Sequence, residues 1–270
     1  MSIAAREIAP AKLNLALHVR GKRPDGRHEI ETVFVFCTDG DRLSAEVADE
    51  ISLTLAGPFA SGLDNADDNL VIRAARGLAS AAGVSTGAAL ALDKRLPVAS
   101  GMGGGSADAG AVLRLLTSLW QIDPRFASGV APTLGSDVPA CLLSLPMRGD
   151  GAGDQLTSID LSALSGAPVL LVNPRVALST ADVFARWDGE DRGPLGDWRE
   201  GRNDLEASAI SLAPQIDAVL AWLRLQRGAS FIRMSGSGAT CFALFEDEES
   251  RDAAAMAVPR EWWHLASFLR

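Results

Sequence analysis

Leu96-Pro97-Val98-Ala99-Ser100-Gly101-Met102-Gly103-Gly104-Gly105-Ser106-Ala107-Asp108 carries most of what this sequence says about its architecture. Four glycines fall within 101–105, and behind them Val112, Leu113, Leu116, Leu119 and Trp120 recur at helical spacing. A glycine-rich loop therefore runs straight into an amphipathic helix. The first N–H groups of a helix lack intrahelical partners and carry partial positive charge, which suits phosphate. Glycines let the main chain approach such a ligand without side-chain obstruction. No Gly-Lys-Ser/Thr follows, so this is not a Walker-A loop. Ser106 stands where a dinucleotide fingerprint would have its third glycine. The pattern predicts a phosphate-binding loop of another kind; an ordinary flexible loop is the plain alternative.

Working outward, ALALDKR before the loop predicts a strand. Asp67-Asp68-Asn69 starts a helix with Leu70, Val71, Ala74, Ala75 and Leu78 on one face and a stop at Gly83. Residues 8–19 alternate: Leu13, Leu15, Leu17 and Val19 share one face, and Lys12, Asn14, Ala16 and His18 the other. That predicts a strand with a buried face and a polar face. A Pro24-Asp25-Gly26 turn and a second strand, Ile30 to Cys37, complete a hairpin, and 42–55 add further strands. Downstream, 132–145 predicts a turn and an apolar strand, and Gly149–Asp154 a domain junction. APVLLVNP predicts a strand. A helical tract containing Pro214 presents Ile216, Val219, Leu220 and Leu223, with Gly228 as its cap. FIRMSGSGATCFALF is strand, turn, strand, and 250–260 is helical. The irregular interleaving gives an α+β class, with domains at 1–155 and 156–270.

The 270 residues hold Lys+Arg 25 against Asp+Glu 34, a net charge of −9. An acidic surface repels phosphodiester backbones, so nucleic-acid and anionic-membrane binding are disfavoured and any anion needs a local site. No apolar run is long enough to span a bilayer and no signal-peptide core is present. Cys37, Cys141 and Cys241 lie in apolar surroundings without a CxxC, which argues against a zinc site or disulfide framework and for a reducing, cytoplasmic setting. Oligomeric state is left open between monomer and weak dimer. Lys12 is unusual for a solubilising lysine, because the alternation sets it between apolar neighbours. Asp137 follows Gly135-Ser136 and precedes an apolar run, where turn chemistry is its ordinary explanation.

Three blocks together resemble the GHMP kinases: Pro10-Ala11-Lys12-Leu13-Asn14-Leu15, the loop from Pro97 to Ser106, and Met234-Ser235-Gly236-Ser237-Gly238-Ala239. Within that superfamily, PAKLNLALHVRGKRPDGRHEIETVF, DDNLVIRAAR, DKRLP, LGSDVPA, VNPRVALSTADVF and RNDLE resemble the branch whose acceptor is 4-diphosphocytidyl-2-C-methyl-D-erythritol, a precursor in the non-mevalonate isoprenoid route. The resemblance implies a ribosomal-S5-like N-terminal domain, a ferredoxin-like C-terminal domain, and phosphorylation of the acceptor's 2-hydroxyl by ATP. It implies Asp137 as catalytic base and Lys12 as catalytic lysine. Pro97, Gly101, Gly103, Gly104, Gly105 and Ser106 would form the triphosphate loop, with Asn69 and Lys94 near the adenine. Asn14 would lie near the methylerythritol, His28 would read the cytosine edge, and Thr180 and Phe184 would share a wall on which the cytosine stacks. Mg²⁺ is implied with ATP, held mainly by phosphates and water.

Three positions depart from the family pattern. Arg27 replaces an aromatic before the histidine, and the chain contains no tyrosine; a guanidinium plane also stacks on bases, so Arg27 and Phe184 are expected to sandwich the cytosine. Ala107 removes a hydroxyl from the loop, and Met102 replaces a leucine. The alternatives are another GHMP kinase, of the homoserine or mevalonate type, and a non-catalytic binding protein on the same scaffold.

Overall fold

In the computed structural model, residues 5–63 and 68–270 are described. Two long strands come first, β1 (Ala5–Lys22) and β2 (His28–Ala48), and they pair with each other. Arg23 N–H donates to Arg27 O at 2.8 Å across the turn between them. The alternation in 8–19 predicts a buried face and a face carrying polar side chains, and in the structure both are interior: Lys12, Asn14 and His18 are 4%, 1% and 3% exposed. Their polar groups must therefore find partners inside the protein.

Packing sorts the chain into two units, each assembled from several segments. The first comprises Met1–Ala11, Asp39–Val98 and Gly103–Ser144; the second comprises Lys12–Thr38, Ala99–Met102 and Leu145–Arg270.

In the first unit, β3 (Ser52–Ala56), α1 (Leu70–Ala82) and β4 (Gly87–Asp93) form a β-α-β crossover. β3 therefore runs parallel to β4, and β4 pairs antiparallel with 42–48 of β2. Asn69 caps α1 by accepting from Val71 N–H at 2.9 Å, and Gly83 closes it in the left-handed conformation. Asp67, the expected first residue of that helix signal, lies outside the described residues. α2 (Gly104–Leu119) and α3 (Pro124–Leu134) pack against α1, and α4 (Val138–Leu143) packs against α2 and α3, which also meet each other. α3 went unforeseen, although Asp123 caps it and Pro124 opens it. The apolar run 138–143, expected as a strand, is the helix α4. A run that short fits either element, and the proline in its first turn favours the helix.

In the second unit, β5 (Met147–Asp150) and β6 (Gln155–Ser158) form a hairpin, so Gly149–Asp154 is mostly a hairpin turn. β5 pairs antiparallel with 32–34 of β2. Then follow β7 (Pro168–Asn173), α5 (Thr180–Ala185), α6 (Glu206–Leu212), α7 (Gln215–Arg224), β8 (Ala229–Met234), β9 (Cys241–Phe245), α8 (Glu248–Met256) and β10 (Trp263–Phe268). Four strands make an antiparallel sheet in the order β10-β7-β9-β8. Pro214 stands where the expected single helical tract divides into α6 and α7. β10 was not expected from the tail. Leu170 and Val172 of β7 meet Ile216, Val219, Leu220 and Leu223 of α7 in one core, together with Leu17 and Val19 of β1. Each such side chain contributes about 1.5–3 kcal/mol on burial, so this stripe fixes which face α7 turns inward. All three cysteines are buried. Among the described residues, no helix is long and apolar enough to cross a membrane.

Candidate active site

The glycine loop bends by alternation. Ala99, Gly101 and Gly103 take φ of 51°, 77° and 63°, so every second residue lies in the left-handed region. Alternating conformations of this kind turn successive N–H groups toward one side, the geometry of an anion-binding nest. α2 then begins at Gly104, with no acidic residue in its first turn to compete with an anion for its open amides.

Within the first unit, Gly104, Gly105 and Ser106 form that first turn. Beside it, Lys94 is buried, 2% exposed, and its ammonium donates to Asp41 Oδ2 at 2.5 Å and Asp108 Oδ2 at 2.6 Å. Its N–H donates to Ala56 O and its carbonyl accepts from Phe59 N–H. Lys94 is thus engaged through side chain and main chain alike, and Asn69 is engaged as the cap of α1. Burial pushes the Asp108 carboxyl up to about 7, Lys94 opposing and Asp41 adding to the rise.

Asp137 occupies the position before α4, where its carbonyl accepts from Cys141 N–H at 3.0 Å and its side chain does not cap the helix. Two features fix α4. A Cβ at Gly110 of α2 would stand 2.7 Å from Cys141 C, so only glycine allows this approach. Arg114 then donates to Cys141 O at 2.7 Å, Leu142 O at 3.1 Å and Ser144 Oγ at 3.2 Å, holding the far end of the helix. Neither Gly110 nor Arg114 stood out in the sequence.

Within the second unit, the interior face of β1 is a hydrogen-bonded chain. Lys12 Nζ donates to Asn14 Oδ1 at 2.9 Å, Asn14 Nδ2 to Thr32 Oγ1 at 2.7 Å, and Thr32 Oγ1 to Ala16 O at 2.6 Å. The Lys12 ammonium lies over the Phe34 ring, 5.1 Å from its centroid. Thr32, missed in the sequence, sets the amide orientation of Asn14. Lys12 N–H donates to Met102 O at 3.1 Å, Ser235 Oγ to Gly101 O at 3.0 Å, and Thr240 N–H to Ser100 O at 3.1 Å. A Cβ at Gly101 would stand 2.4 Å from Ser235 O. Residues 99–102 are thereby stitched to β1 and to the turn at 235–240. Asn203 holds that turn by donating from Nδ2 to Met234 O and Gly236 O, both at 2.8 Å.

His28 stacks on Phe184, centroids 4.6 Å apart and planes 26° from parallel, and Trp187 meets His28 edge-on at 5.7 Å. Burial lowers the His28 imidazole below its ordinary range, with Lys22 adding to the effect. The ring against Phe184 is therefore His28. Arg27, expected opposite Phe184, is instead paired with Asp25 at 2.9 Å and Asp154 at 3.3 Å. Thr180 shares a hydrogen bond with Ser237 at 2.9 Å. Trp187, which lies just past the end of α5, went unnoticed. Among the described residues, no group of three or more His, Cys, Asp or Glu side chains could hold a metal ion.

The GHMP kinases N terminal domain model matches residues 69–144, and the GHMP kinases C terminal model matches residues 185–264. A 4-diphosphocytidyl-2-C-methyl-D-erythritol kinase of Rhizorhabdus wittichii is 55% identical, over 100% of this chain and 96% of that protein. Its counterpart from Novosphingobium aromaticivorans is 50% identical over 100% and 94%. A crystal structure of 4-(cytidine 5'-diphospho)-2C-methyl-D-erythritol kinase superposes with a TM-score of 0.84 at 33% identity, covering 98% of both chains. A homoserine kinase from Cytophaga hutchinsonii superposes with a TM-score of 0.74 at 18% identity over 100% and 96%, a likeness of fold alone.

Proposed function

The chain belongs to the GHMP kinases, and from that premise we propose that it transfers the γ-phosphoryl group of ATP to the 2-hydroxyl of 4-diphosphocytidyl-2-C-methyl-D-erythritol, a step in non-mevalonate isoprenoid precursor synthesis. The observation that carries this is full-length identity of 50–55% to two kinases of that name. The His28–Phe184 stack supports it, since a half-buried aromatic platform beside a neutral imidazole suits a pyrimidine.

Phosphoryl transfer asks a protein for alignment and charge stabilisation more than for covalent chemistry. The open amides at Gly103–Ser106 receive the triphosphate. Pro97 and Gly101 shape the entry to that loop and Asn69 borders the adenine, while the Lys94 ammonium, which the resemblance sets beside the adenine, is buried against Asp41 and Asp108 instead. Asp137 accepts the proton of the 2-hydroxyl as the oxygen attacks the γ-phosphorus. Lys12 offsets the charge that gathers on the transferring group, and Asn14 orients both the ammonium and the acceptor's polyol. Thr180 and Phe184 line the cytosine wall, and Arg27 borders it. Magnesium arriving with ATP would be held mainly by the phosphates and water, and would supply Lewis-acid neutralisation of those phosphates. The cytoplasm is the compartment where both substrates would be met.

Purified protein given ATP and the cytidyl acceptor should release ADP stoichiometrically with a 2-phosphorylated product, identified by phosphorus NMR. Preferential phosphorylation of mevalonate or homoserine would sink the acceptor assignment, and ATP binding without turnover would favour a binding protein.

A further inference from the structure

Lys94, Asp41 and Asp108 tie together three pieces of chain that local sequence gives no reason to connect. Asp41 Oδ1 accepts from Arg95 N–H at 2.6 Å and Leu96 N–H at 2.8 Å, while its Oδ2 accepts from the Lys94 ammonium. The same ammonium reaches Asp108 Oδ2 on the second turn of α2. It also lies directly against the first residue of that helix: a Cβ at Gly104 would stand 3.0 Å from Lys94 Nζ. Leu96 immediately precedes the loop and Gly104 ends it. Both flanks of the glycine loop are thus fastened to one buried ammonium.

We propose that Asp41, Lys94 and Asp108 are a positioning triad, which holds the two flanks of the loop at the spacing the phosphates of ATP require without touching the nucleotide. The proposal rests on the reading that this loop receives those phosphates.

Ions are a costly way to fill an interior. An apolar set of the same volume is commonly as stable or more so. Ions do give direction, because each charge-assisted bond fixes an angle as well as a distance. Here the directions converge on the main chain at Arg95 and Leu96 and on α2. The satisfaction is also incomplete: Asp108 Oδ1 is buried without a hydrogen-bond partner among the described residues, and two carboxylates share one ammonium. A cluster selected for stability alone would not retain an orphan oxygen. One selected to set a distance tolerates it.

The test uses the full chain, with Lys94→Met and Asp108→Asn compared by KM for ATP, KM for the cytidyl acceptor, kcat and thermal midpoint. Displaced loop flanks should raise KM for ATP about tenfold or more in Lys94→Met and by a smaller factor in Asp108→Asn, with KM for the acceptor held within about twofold. A lowered midpoint with both KM values unchanged would make the triad a folding element and overturn the proposal, as would equal rises in both. Should Lys94→Met fail to fold, Asp108→Asn decides alone, because an amide keeps the shape and still accepts from the ammonium. The underlying phosphate reading is checked separately by calorimetry on the wild type. ATP must bind more tightly than adenosine. If it does not, that reading fails and the triad proposal with it. If it does and the variants leave KM for ATP unmoved, the triad proposal alone falls.

Discussion

Lys12 and Lys94 are nearly equally deep, at 4% and 2% exposed, and each is held within its own unit by a different set of groups. Lys94 is clasped by two carboxylates of its own unit. Lys12, in the other unit, donates to an amide oxygen and lies over an aromatic face. An amide oxygen or a ring face eases the burial of a cation without cancelling its charge, whereas carboxylates beside it offset that charge directly. Depth alone does not tell what a lysine is for. The groups that hold it say more: two carboxylates fasten Lys94 within its own unit, whereas an amide oxygen and a ring face are among the partners of Lys12.

The strongest test acts on the proposed base. Asp137→Asn should lower kcat on the order of 10²- to 10⁴-fold while the dissociation constant for ATP, measured by calorimetry, stays near the wild-type value. Near-normal turnover would remove the base assignment and with it the reason to give Lys12 a catalytic charge. Next comes the pair itself. Lys12→Met should lower kcat about 10²- to 10³-fold with little change in denaturant midpoint. Lys94→Met should instead cost about 3–5 kcal/mol of stability, because two buried carboxylates lose their cation. If Lys12→Met unfolds the protein and Lys94→Met does not, the comparison is inverted.

A smaller effect is expected on the cytosine wall. Phe184→Ala should raise KM for the acceptor about tenfold, the worth of one base–aromatic stack, and leave KM for ATP alone. The smallest effect concerns the proton on Asp108. In the fold its carboxyl holds a proton to about pH 7, against an unperturbed value of 3.8. The folded state therefore binds more protons than the unfolded chain between those values. This group's contribution to stability is complete below the lower value and is lost as pH rises through the upper one. In Asp108→Asn the decline of stability across that window should flatten, as urea midpoints at successive pH values would show. An unchanged slope would mean that Asp108 is already ionised beside Lys94 well below neutrality.

Much of this was legible in residue order. The glycine loop entering α2, the cap at Asn69, the strand-turn-strand at 229–245 and the place of Lys12 beside Asn14 on one face of β1 each follow from local spacing. What escaped depends on partners far along the chain. Asp41 and Lys94 are 53 residues apart and Thr32 and Asn14 are 18 apart, and no window of sequence contains either pair together with its reason. α4 was misjudged because six apolar residues fit a strand or a helix, and the deciding contact, Gly110 against Cys141, lies on another element. Arg27 was assigned a stacking role that its two carboxylate neighbours, Asp25 and Asp154, already compete for.

The segmental make-up of the two units limits how this protein can be dissected. Because Lys12–Thr38 packs with Leu145–Arg270, a gene fragment beginning after residue 144 would encode a partial body that lacks two of its strands' interior halves. A fragment ending there would carry those same halves with nothing of their own to cover them. No single scission liberates either unit whole, so truncation libraries and split reporters built on this chain would have to restore the missing N-terminal piece in trans.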